Sequence, residues 1–175
     1  MIDLETMSTA TNAAILSIGA VKFDIQEEKL LGEFYQNVEL SSCLHLGMNR
    51  MQSTLDWWAQ DSQKEARDLL TKDAVPIWEA CNRFIEWAGD DIIPWANGAP
   101  FDLPILKNAF HLNSLKEPWK FRNESCYRTL KRLYPTVLAT SQPGNMKHHA
   151  LSDAKYQAAH LMRILKSLHL AEDMA

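Results

Sequence analysis

The chain has 175 residues, 46% of them hydrophobic and 23% charged, with a formal net charge of −4, which is the size of one ordinary domain with a proper core. A pI near 5.8 argues against an indiscriminate polyanion binder, since such proteins are usually basic; clustered acids, however, count as negative until a metal neutralises them. Cys43, Cys81 and Cys126 are odd in number and lack CxxC spacing, so they read as reduced thiols of a cytoplasmic protein, and no apolar run, signal peptide or lipidation motif points to a membrane.

The first stretch, Met1 to Met7, alternates as a β-strand with Asp3 and Glu5 on one face and Ile2 and Leu4 on the other. Two carboxylates on a strand that otherwise looks buried repel each other and are costly to desolvate, so they need a cation or a proton. Crowded hard oxygen ligands favour Mg²⁺ or Mn²⁺ over zinc. An exposed edge strand whose acids face water is the other reading. Ser8 to Asn12 forms a polar turn into Ala13 to Phe23, an apolar second strand in which Gly19 marks close backbone approach or a bulge. After a charged turn, Leu30 to Val38 alternates as a third strand, and the short connections predict an antiparallel meander.

Glu39 to Gln52 shows no clear period and is expected to wrap the surface, with His45 a surface histidine. Thr54 is the expected N-cap of a helix carrying Leu55, Trp57, Trp58, Ala66, Leu69 and Leu70. Adjacent tryptophans point about 100° apart on a helix, so one enters the core while the other faces a groove. Pro76 to Ala88 keeps helical apolar spacing, and Ile92 to Ala96 reads as a short buried strand, with Pro94 an objection to a central place. Asp102 follows the loop from Asn97 and begins a helix through Phe110, where an aspartate is either an N-cap or something more.

Pro118 to Asn123 is irregular, Ser125 to Tyr134 is expected to be helical, and Pro135 to Asn145 is a loop in which mobility is expected. Between Lys116 and Arg132 the balance turns basic through Lys116, Lys120, Arg122, Arg128, Lys131 and Arg132. That segment is either a phosphate-facing patch or a solvated face. A strongly amphipathic helix runs from about His149 to about Leu168, with His148 and Asp153 at its start. Three strands followed by helices, a strand-helix unit and two more helices make an α/β arrangement in a single domain over 1–175.

Asp3-Leu4-Glu5-Thr6, Asn97 to Asp102 and His148 to Asp153 together resemble the three motifs of the DEDDh family of 3′-5′ exonucleases, which includes the proofreading subunit of bacterial DNA polymerase III and ribonuclease T. The run Asn12 to Val21, Trp57-Trp58 and Tyr127-Arg128-Thr129 look like the small stand-alone exonucleases of bacteriophages, prophages and mycobacteria. The resemblance implies a ribonuclease H-like fold with a central five-stranded mixed sheet flanked by helices. It also implies two Mg²⁺ or Mn²⁺ ions held by Asp3, Glu5, Asp102 and Asp153, and hydrolysis from a single-stranded 3′ end that releases nucleoside 5′-monophosphates. His148 stands five positions before Asp153, as the motif requires of the general base, whereas His149 is one residue too close. An unperturbed histidine pKa suits a base near neutral pH.

By the same resemblance, the backbone at Thr6 and Met7 meets the terminal ribose, Met7 and Phe101 wedge the last bases, Trp58 offers a further stacking surface, and Arg128 reaches phosphate, with Asn97 in the second motif. Related exonucleases pair into homodimers, which would bring the basic segment of one subunit toward the other's site. Two other functions stand beside this one, a catalytically silent nucleic-acid-binding module and a hydrolase of very short oligonucleotides. Binding alone has no use for four carboxylates beside a phosphate. DNA or RNA is left open, because the 2′-hydroxyl is sensed by a few sugar contacts.

Overall fold

The computed structural model describes residues 1–140 and 148–172. Strand β1 (Ile2–Thr6) sits inside the sheet and its alternation divides the molecule. Ile2 and Leu4 enter one apolar cluster with Ile18, Phe84, Leu106 and Phe110. Asp3 and Glu5 therefore face the other side, where Val21, Ala154, Ala158, Leu161 and Ile164 form a second cluster.

Strands β2 (Ile15–Asp24) and β3 (Lys29–Asn37) continue from β1 as the expected antiparallel meander. Two short strands, β4 (Trp95–Ala96) and β5 (Ser125–Cys126), add to the other edge of β1 in parallel. The sheet is five-stranded and mixed, in the order β3-β2-β1-β4-β5. Helices α4 (Ile77–Ala88) and α5 (Ala99–Leu112) supply apolar side chains to the first cluster, and α7 (Ala150–Glu172) supplies them to the second, so the sheet is flanked by helices. Among the described residues no helix is long and apolar enough to cross a membrane. The cysteines are free thiols.

Several elements differ from expectation. Glu39 to Gln52 is not irregular throughout, since Leu40–His45 forms helix α1. Its apolar Leu40, Cys43 and Leu44 have helical spacing for little more than one turn, too short to read as a period. The helix expected after Thr54 is divided: α2 spans Gln52–Trp58, a 3₁₀ turn spans Asp61–Gln63, and α3 spans Lys64–Leu69. Thr54 lies inside α2, whose N-cap is Met51, tied back to the end of β1 because its N–H donates to the Met7 carbonyl. At the break, Gln60 is extended and the Arg67 guanidinium donates to the freed Trp58 carbonyl.

The buried strand expected over Ile92 to Ala96 contracts to Trp95 and Ala96; Ile93 is 63% exposed and Pro94 precedes the ladder. Ser125 and Cys126, expected to be helical, form β5 before α6 (Tyr127–Leu133) begins. A two-residue parallel strand has no alternation to reveal it. The expected loop from Pro135 to Asn145 lies partly outside the described residues.

Candidate active site

Gly19 decides how α7 meets the sheet. It pairs with Asp3 across β1 and β2. A Cβ at Gly19 would stand 2.1 Å from the Ala150 carbonyl carbon and 2.2 Å from the Leu151 nitrogen. Only a residue without a side chain admits the start of α7 this close. The close approach anticipated from sequence is thus what brings the first turns of α7 against Asp3.

Asp153 lies in the first turn of α7. One oxygen from each of Asp3, Glu5 and Asp153 lies within 4.8 Å of the others. Gln157, one helical turn further on, donates its amide N–H to Asp3 Oδ1 at 2.7 Å. Asp102 comes from the first turn of α5 and is 3% exposed. It does not cap its own helix, for Gly98 holds that position. Its Oδ1 instead accepts the Leu4 N–H at 3.1 Å. Because β4 pairs with β1 only at Ile2 and Ala96, that N–H has no strand partner on this edge, and the carboxylate satisfies it.

Burial disfavours the charged form of each acid. Asp3 is pushed well above the usual carboxylate range by burial, then by Asp102 and Glu5, against the pull of Gln157. Glu5 is pushed up to about 8 by burial, then by Asp153 and Asp102. Asp102 rises to about 7 through burial, opposed by the Leu4 N–H and more weakly by Arg128. Asp153 is raised by burial and held down by His148. Among the described residues none of these four carboxylates forms an ion pair.

The two histidines have separate surroundings. His148 adopts the left-handed conformation, φ 59°, and its backbone N–H donates to Asp153 Oδ2 at 3.2 Å. Its ring meets the Trp57 ring edge to face, with centroids 4.7 Å apart. His149 turns the other way, stacked on Tyr35 at 4.3 Å, where burial lowers its pKa. Its Nδ1 accepts the Ser152 N–H at 3.3 Å, capping the start of α7.

A cavity of about 340 Å³ opens on the acids, lined by Asp3, Glu5, Asn97, His148, Asp153 and Gln157 among others. A second, of about 370 Å³, adjoins it at Leu4 and Glu5 and includes Thr6, Thr54, Trp57 and Phe101 in its wall. Arg128 is exposed and donates to the Asn97 carbonyl at 2.7 Å. Its guanidinium lies against Gly98, whose φ of 108° and missing Cβ allow the approach.

Two of the residues expected to meet substrate are largely buried. Met7 belongs to the core, with its N–H donating to the Ala14 carbonyl and its own carbonyl accepting from Met51. Trp58 is 4% exposed and donates its ring N–H to the Thr6 carbonyl at 3.0 Å, while its side chain contributes to the wall of the second cavity. Trp57 is the half-buried member of the pair and stands beside His148. Sequence reasoning missed Trp57 and Gln157. Spacing on a helix showed that the tryptophans diverge without showing which turns inward; Gln157 could have been found four residues after Asp153, on the same helix face.

A family model described as a Rv2179c-like 3′-5′ exoribonuclease domain matches residues 1–165, and the chain belongs to that family. Comparison with curated protein sequences returns no match.

Proposed function

We propose that this member of the Rv2179c-like 3′-5′ exoribonuclease family is a divalent-metal-dependent exonuclease with a ribonuclease H-like sheet, acting on the 3′ end of single-stranded nucleic acid and releasing nucleoside 5′-monophosphates. The observation that carries the reading is the convergence of Asp3, Glu5 and Asp153 within 4.8 Å, with buried Asp102 beside them. A purely structural site would pair such acids with lysine or arginine.

The donor set fits the metal that the family implies. All four groups offer hard carboxylate oxygens, the choice of Mg²⁺ and Mn²⁺ over softer ions. Asp3, Glu5 and Asp153, with Asp102 close to them, would together hold such ions. When bound, two such ions supply the positive charge that makes water a nucleophile at neutral pH and offsets the charge gathering on phosphorus.

The protein's own groups do the rest. His148 accepts the proton of the attacking water through its imidazole. The new oxygen–phosphorus bond forms as the bond to the departing 3′ oxygen breaks, and that oxygen takes its proton from solvent. The bond from the His148 N–H to Asp153 keeps the base next to a ligand carboxylate. The cavity between Trp57 and Phe101 receives the terminal nucleoside, with the rings as apolar walls for a base and Thr6 and Thr54 near the sugar. Arg128, anchored at Asn97, is the group for a neighbouring phosphate.

The test is a time course on 5′-labelled and 3′-labelled single-stranded RNA and DNA, long and very short, with Mg²⁺, Mn²⁺ or EDTA. A metal-dependent ladder with early release of the 3′ label is the expected result. Binding without a ladder would point to a silent module, and cleavage confined to very short chains to an oligonucleotide hydrolase. The proposed homodimer is checked by light scattering on the same preparation.

A further inference from the structure

Gln157 is the least expected member of the acidic centre. It is 5% exposed, and its amide oxygen has no hydrogen-bond partner. Its nitrogen side is committed to Asp3 Oδ1 at 2.7 Å. Among the described residues this is the one hydrogen bond that the Asp3 carboxylate receives.

A buried unpaired amide oxygen is costly, and natural cores rarely keep one without use. Here it belongs to a residue in the wall of the cavity that holds Asp3, Glu5 and Asp153. The cavity is polar and has room for water, so an acceptor at its edge can be satisfied by a water within it. Donors next to a metal-binding carboxylate restrict its rotation and tune its basicity. The repulsion that Asp3 feels from Glu5, Asp102 and Asp153 makes such a restraint necessary, since an untethered carboxylate would turn away from its neighbours.

We propose that Gln157 is a positioning residue of the metal centre: its N–H holds the Asp3 carboxylate toward a divalent ion, and its unpaired oxygen accepts a hydrogen bond from a water in that ion's outer shell. The assignment rests on the metal-dependent reading above. It places Gln157 on the same face of α7 as Asp153, so one helix contributes both a ligand and the brace for another ligand.

The experiment measures Mn²⁺ binding by titration with electron paramagnetic resonance of free Mn²⁺, for wild type, Gln157→Met, Gln157→Asn and Asp3→Asn. Methionine keeps the volume and removes both polar atoms; asparagine keeps an amide but draws it back by one methylene. Both Gln157 variants are expected to weaken Mn²⁺ binding about 10–100-fold, with thermal unfolding in EDTA unchanged. RNA turnover should return at saturating Mn²⁺ with KM for RNA unaltered, which a residue that only fills space would not show. Wild-type affinity in both Gln157 variants, with binding lost in Asp3→Asn, overturns the role of Gln157 alone. Lower unfolding temperatures without rescue by Mn²⁺ also overturn it. Undiminished Mn²⁺ binding in Asp3→Asn overturns the functional reading itself.

Discussion

The backbone N–H of His148 and the carboxylate of Asp153 share a 3.2 Å hydrogen bond, while the side chain of His149 is turned to the opposite side against Tyr35. Two adjacent and chemically identical residues thereby sit in different surroundings.

Replacing His148 with alanine keeps the N–H that binds Asp153 and removes only the imidazole. Turnover of single-stranded RNA should fall about 10²–10⁴-fold, with Mn²⁺ affinity nearly unchanged. His149→Ala should do the reverse, costing roughly 1 kcal/mol through the lost helix cap and leaving turnover per folded molecule close to wild type. Steady-state kinetics and urea unfolding of both variants separate the two.

Asp102→Asn retains an oxygen for the Leu4 N–H but loses the charge. Unfolding temperature without metal should hold or rise, because a buried acid is replaced by a neutral amide. Activity should fall at least about 100-fold. An active Asp102→Asn would remove this residue from the catalytic set.

The acids make stability depend on pH in a definite direction. Glu5 moves from its ordinary 4.5 to about 8 on folding, and Asp102 from 3.8 to about 7. A carboxyl that holds its proton more tightly when folded adds stability that is complete below its unfolded pKa and is lost as pH rises through its folded pKa. In EDTA the protein should therefore melt progressively lower as pH rises through the interval from 4.5 to about 8, each lost kcal/mol lowering Tm by about 2–4 °C. Added Mn²⁺ should raise Tm most at the alkaline end, where the ligands are already deprotonated. Scanning fluorimetry of wild type and Glu5→Gln checks this, and the variant should show a shallower slope.

Gly19→Ala forces a methyl group against the Ala150 carbonyl and the Leu151 nitrogen. Backbone must move, so the cost should be about 1–3 kcal/mol or more. The shift carries Asp153 away from Asp3, and Mn²⁺ affinity should drop even at temperatures where the variant is folded. Calorimetric titration at low temperature measures this directly.

Much of this arrangement was legible in the chain. The alternation of β1 separated Asp3 and Glu5 from Ile2 and Leu4, and the meander followed from short connections between apolar runs. Asp102 was ambiguous for a physical reason: an aspartate near a helix start looks the same whether it caps its own helix or satisfies an N–H of another strand. The division of the Trp57 helix, the two-residue strands β4 and β5, and the inward turn of Trp58 depend on contacts distant in sequence. No local periodicity encodes them.

The hydrogen bond between Gln157 and Asp3 spans 154 positions, and the acidic centre is closed by the element that leaves the ribosome last among its contributors. A nascent chain that already carries Asp3, Glu5 and Asp102 has no α7 to set on Gly19. Under the proposed function, such a chain should not hydrolyse the messenger being translated beside it, and nuclease competence should arrive only when the long-range pairing between β1 and α7 is made.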